Sequence, residues 1–178
     1  MTAQDDTVDA TDVAPAQLRT GQRVLAVVRI LIGFVFLWAF LDKCFGLGIP
    51  TPHAQAWLFG TGPDPAEAFL AGITGPFAWL FNPIAGQEWA TWLFMAGLLG
   101  IGVGLMSGLA FRFSAVCGVL LLAILYLAEL PETANPFVSS NMIYALVLVA
   151  LIPLRNGRVW GLSKGWERTV GARLPWLR

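Results

Sequence analysis

The sequence predicts an all-α integral membrane protein: a four-transmembrane-helix bundle with short interfacial helices in a long outer connection between spans 1 and 2. Three observations lead there. The 178 residues are 57% hydrophobic and only 12% charged, with a mean hydropathy of +0.69, a composition that leaves a soluble domain of this size without a polar surface. Four long stretches are almost uncharged: 24–41, broken only by Arg29, then 89–111, 113–128 and 133–154. Each approaches the roughly 20 apolar residues that cross a hydrocarbon core of about 30 Å. The charges are also sorted. With four spans, Arg19, Arg23, Arg29, Arg112, Arg155, Arg158, Lys164, Arg168, Arg173 and Arg178 fall on one side and only Lys43 on the other. By the positive-inside rule both termini are then cytoplasmic. Asp42, Asp64, Glu67, Glu88, Glu129 and Glu132 fall on the outer side.

Residues 1–22 are acidic and rich in Ala and Thr, without the apolar core of a signal peptide, and read as a disordered cytoplasmic tail. The membrane domain runs over 23–168, and 169–178 forms a second cytoplasmic tail. Span 1 runs from about Val24 to Phe45 and is closed by Gly46, Gly48 and Pro50, the punctuation expected after a helix. The connection over 47–87 is too long for a bare loop in a compact bundle. Its apolar pieces, "AWLFG" and "AEAFLAGITGPFAWLF", are too short to cross and read as helices at the outer interface. Trp57, Trp79, Trp89 and Trp92 suit that depth, where one side of the ring is apolar and the other wet.

Span 2, Trp89 to Met106, carries Ala96, Gly100 and Gly104, with Gly108 just beyond, four apart and stacked on one face for close helix packing. Span 3 answers with Ser114 and Gly118 across a short antiparallel connection. Span 4 is expected to begin near Asn135 and Pro136 and to end at Pro153. Beyond it, tryptophans mix with basic residues in the manner of a segment facing anionic lipid.

Polar side chains gather at the outer helix ends. Asp42 and Lys43 close span 1 and Glu88 opens span 2; Tyr126 and Glu129 close span 3, while Asn135, Asn141 and Tyr144 open span 4. Residues three apart share a helix face, so Tyr126 with Glu129, and Asn141 with Tyr144, can turn inward together. Such a pocket suits the head group of a quinone; the competing reading is an ordinary interfacial belt without chemistry. Lys43 invites an acidic partner, either Asp42 or Glu129. Arg29 is a buried charge near the inner end of span 1, costing about 2.5–3.5 kcal/mol in the membrane unless it snorkels or satisfies a partner such as Tyr144, Ser107 or backbone carbonyls. His53 is the only histidine, and Cys44 and Cys117 are far apart, so no metal, haem or nucleotide site and no disulfide is expected. Nothing suggests a nucleic-acid partner.

The stretches "RILIGFVFLWAFLDKCFG", "NPFVSSNMIYALVLVAL" and "GRVWGLSKGWER" resemble the DoxX/DoxD family of four-helix membrane proteins, which includes the small subunit of thiosulfate:quinone oxidoreductase. Arg29, Gly33, Asp42, Lys43, Asn135, Pro136, Tyr144 and 157–162 carry the match. The resemblance implies a prokaryotic plasma-membrane protein that binds quinone and passes electrons from a sulfur or thiol donor with a partner subunit. The alternative reading is a non-catalytic membrane scaffold of an oxidoreductase or stress-defence complex, whose glycine face on span 2 docks a partner subunit or a second copy in a homo-oligomer. This chain departs from the family where it reads "VSSN", at a place where many members carry a histidine or an acid.

Overall fold

The computed structural model describes residues 15–131, 137–154 and 159–162. The described residues are helical, with no strand: α1 (Pro15–Phe45), α2 (Pro65–Ala71), α3 (Ala78–Phe81), α4 (Glu88–Ser107), α5 (Phe111–Glu129) and α6 (Ser140–Leu151), with 3-10 turns at His53–Gln55 and Asn82–Ile84. Three helices are long and apolar enough to cross a membrane, over Gln17–Phe45, Glu88–Ser107 and Phe111–Glu129. Helix α6 has 12 residues, or about 18 Å of axial rise.

Close backbone approaches set the register. A Cβ on Gly33 would lie 2.9 Å from the amide nitrogen of Met106, and one on Gly102 would lie 2.8 Å from that of Leu37. Each glycine therefore receives the backbone of the other helix, and α1 and α4 run antiparallel. Gly104 meets the Ser114 side chain across the α4–α5 turn, and Gly118 faces Leu148 of α6. Ile32 and Phe36, Leu98, Ile101 and Leu105, Ala115 and Leu122, and Leu148 and Leu151 close the core between these helices. A second cluster, Ile73, Phe81 and Ala128, seats the α2–α3 region on the end of α5. Outward faces stay apolar, with Leu31, Phe34, Leu93, Val103, Leu120, Ile124, Ile143 and Leu146 all exposed. Lipid satisfies such a surface and water does not.

Several expectations are corrected. Helix α1 starts at Pro15, so 15–22 are helical and not part of a disordered tail; proline is favoured in the first turn, and a polar helix can extend from a lipid-packed one. Helix α6 starts at Ser140. Ser139 caps it by accepting from the Met142 amide at 3.3 Å, a serine cap that outweighs the proline expected to open the helix earlier. Asn135 and Pro136 lie outside the described residues, as do 1–14 and 163–178.

The glycine stripe on α4 divides. Gly104 is buried against α5, and Gly108 is the left-handed cap of α4, at φ 73°. Ala96 and Gly100 are exposed, and nothing lies within 4 Å of a Cβ built on Gly100. The tight α1–α4 contact uses Gly33 and Gly102 instead. Gly102→Ile should therefore destabilise the fold by about 1–3 kcal/mol through overpacking, and Gly100→Ile by less than about 0.5 kcal/mol. Thermal unfolding of the two variants in one detergent measures the difference; equal losses would contradict this register.

Candidate functional site

Asp42 and Arg29 are the two charged side chains with no exposure among the described residues, and both hold backbone. The antiparallel register places Asp42 opposite Gly97, about 13 Å inside the start of α4. Here the chain leaves α1 as non-helical backbone, whose polar groups need partners wherever water is excluded. Asp42 supplies two of them: Oδ1 accepts from the Ile49 amide at 3.1 Å and Oδ2 from the Thr51 amide at 2.9 Å. One turn back, Trp38 Nε1 donates to the Ile49 carbonyl at 3.2 Å. Residues four apart on one helix face thus grip both sides of Ile49.

The four orphan carbonyls expected at a helix end are also met. The Asp42 carbonyl accepts from the Gly46 amide at 2.7 Å, that of Lys43 from Trp57 at 2.8 Å, and that of Cys44 from Leu58 at 3.2 Å. The Phe45 carbonyl lies 3.3 Å from His53 Nδ1, which donates in its Nδ1–H tautomer. Gly46 turns the chain at φ 61° with the His53 Cα against it, leaving no room for a Cβ. Trp57 then packs edge-on against Trp92 of α4, with ring centroids 4.7 Å apart. Aspartate, indole and glycine convert the end of α1 into a folded-back plug.

The other predicted residues separate into three places. Glu129 accepts from Asn141 Nδ2 at 2.7 Å, and the Tyr126 hydroxyl donates to the Phe137 carbonyl at 3.2 Å, so these three residues clasp the α5–α6 connection. Tyr144 packs half-buried against the main core, while Glu88 is exposed in the first turn of α4. Lys43 is half-buried beside Asp42 in the last turn of α1. Asn135 lies outside the described residues. Among the described residues these side chains therefore make their hydrogen bonds in separate places.

Beside the clasp lies a cleft of about 430 Å³, between α2 with its following turn and the end of α5. Phe69, Ile73 and Leu130 give it apolar walls, and Glu129 and Thr74 give it polar groups. Gly75 abuts the Leu130 carbonyl, fixing the floor. Sequence reasoning missed these wall residues because they come from two segments distant along the chain. It also missed Thr51, although Trp38 and Asp42 on one face do signal a paired grip.

Arg29 sits one turn before Gly33, about 6 Å past the level of Met106. It therefore marks the end of the bundle and not its middle. Its guanidinium donates to the Val159 carbonyl at 3.2 Å, and the Leu162 amide donates to the Ser107 carbonyl at 2.8 Å. Both cysteines are free, and no group of three or more His, Cys, Asp or Glu residues able to hold a metal occurs among the described residues.

Asp42→Ala strands two amides and should cost roughly 3 kcal/mol, lowering the unfolding temperature and opening residues 46–58 to protease. Asp42→Asn, which keeps one acceptor oxygen, should lose less. Limited proteolysis with melting curves tests the order; a stable, protease-resistant alanine variant would contradict the assignment. No family model, curated protein or solved structure matches the chain.

Proposed function

We propose that this chain is a four-span subunit of a prokaryotic plasma membrane, of DoxX/DoxD type, with both termini in the cytoplasm. It holds the head group of a quinone in the outer cleft between α2 and α5. The carrying observation is the cleft itself: about 430 Å³ falls within the roughly 300–1,000 Å³ typical of small-ligand sites. Its walls mix apolar side chains with polar groups, and among the described residues lining it one carboxylate, Glu129, is oriented by Asn141. A quinone has that character, an apolar ring with two carbonyl oxygens and an isoprenoid tail that stays in lipid.

The site moves away from Asp42, because its carboxylate oxygens already accept from backbone amides. Glu129, Asn141 and Thr74 become the polar contacts. Helix α6 and the residues leading to it supply the fourth span, and the exposed Trp79, Trp89 and Trp92 set the outer connection at headgroup depth. Electrons from a sulfur or thiol donor reach the quinone through a partner subunit. A second reading, a non-catalytic scaffold, draws on the exposed Ala96–Gly100 face, where the open space over Gly100 admits another backbone.

Gly72 lines the cleft and has helical backbone, at φ −78° and ψ −7°. Gly72→Phe should therefore fill the space without straining the chain. Native mass spectrometry of the protein extracted from quinone-containing membranes should show bound quinone. Retention should fall about tenfold in Gly72→Phe, roughly 1.4 kcal/mol, with Lys43→Ala unchanged. Absence of quinone from the wild type, together with loss of a partner chain on Gly100→Ile, would favour the scaffold.

A further inference from the structure

Apart from Lys43, which closes α1 beside Asp42, the described charges are sorted by sign between the two ends of the molecule. Asp42, Glu88 and Glu129 lie where α1 and α5 end and α4 begins, and Glu67 of α2 lies near Gly86 just before α4. Arg19, Arg23, Arg29 and Arg112 lie at the opposite end, with no described acid among them. Across that end runs a short segment, Val159 to Leu162, fixed at both sides: Arg29 holds the Val159 carbonyl and the Ser107 carbonyl holds the Leu162 amide.

Fixing this backbone leaves two large apolar side chains outward, Trp160 at 62% and Leu162 at 66% exposure. Arg112 is half-buried in the first turn of α5, beside the exposed Phe113. An indole and a leucine at the same end of the bundle as a cation whose stem can lie along apolar surface match the boundary between acyl chains and phosphates. Water alone would leave the apolar pair unsatisfied, and a neutral headgroup would leave the cations without net countercharge.

We infer that this end of the bundle is a docking surface for anionic lipid headgroups, with Trp160 and Leu162 seated in the monolayer boundary and Arg112 reaching the phosphates. The inference rests on the reading that the chain spans the membrane. Arg29 is a positioning residue here: it is buried and touches the segment, not the lipid.

The test uses the full chain in nanodiscs of phosphatidylcholine mixed with phosphatidylglycerol, with retained lipids counted by native mass spectrometry. Quenching by brominated phosphatidylglycerol then reports the depth of Trp160, by difference against Trp160→Phe. The wild type should retain phosphatidylglycerol in preference, and Arg112→Gln should lower that preference about fivefold, the contribution of one cation near an anionic surface. Arg29→Met should lower both the preference and the Trp160 quenching, although it removes no exposed charge. If that variant fails to fold, Arg112→Gln alone decides. Equal retention of the two lipids by inserted wild type, or a preference unchanged in Arg112→Gln, would overturn the inference. Failure of the wild type to resist alkaline extraction from membranes would overturn the spanning reading with it.

Discussion

The Asp42 carboxylate, accepting from the Ile49 and Thr51 amides, is the interaction on which the end of the structure where α1 stops and α4 starts depends. A chain leaving a helix inside an apolar slab carries donors and acceptors that lipid cannot satisfy. This chain meets the demand locally. Trp38, Asp42 and the terminal carbonyls of α1 take up the polar groups of residues 46–58, so the connection folds back onto the helix that precedes it. Trp57 is thereby delivered against Trp92, and the start of α4 is set relative to α1. The Gly33–Met106 and Gly102–Leu37 approaches carry that alignment down the helix pair.

Arg29 repeats the device at the other end of α1, about 20 Å away along the axis. One buried acid collects amides; one buried base takes a carbonyl. Burying charges in this way is costly in desolvation, and so these positions tolerate little change. It also restricts where chemistry can occur. Beside the α2–α5 cleft, Glu129 is oriented by Asn141 but remains exposed.

Much of this was legible in the sequence. Hydropathy and charge sorting located α4 and α5 to within two residues, because an apolar helix in lipid begins and ends where its composition changes. Helix α1 was misjudged at its start, since Arg19 and Arg23 interrupt hydropathy without interrupting helix. The Ser139 cap was readable as a serine just before an apolar run and was outweighed by the nearby proline. Small residues every four positions suggest one packing face, yet the α1 backbone approaches α4 at Gly102, off that stripe. Spacing within one helix does not say which face the neighbour takes. The partition of the polar residues into plug, clasp and cleft depends on contacts between segments far apart in the chain.

Hydrogen exchange of the backbone amides in nanodiscs tests the central claim most directly. If the Asp42 carboxylate holds the plug, the Ile49 and Thr51 amides are protected in the wild type and lose that protection together in Asp42→Ala, while amides within α4 and α5 stay slow. Rapid exchange at both positions in the wild type, or protection that survives removal of the carboxylate, would contradict it.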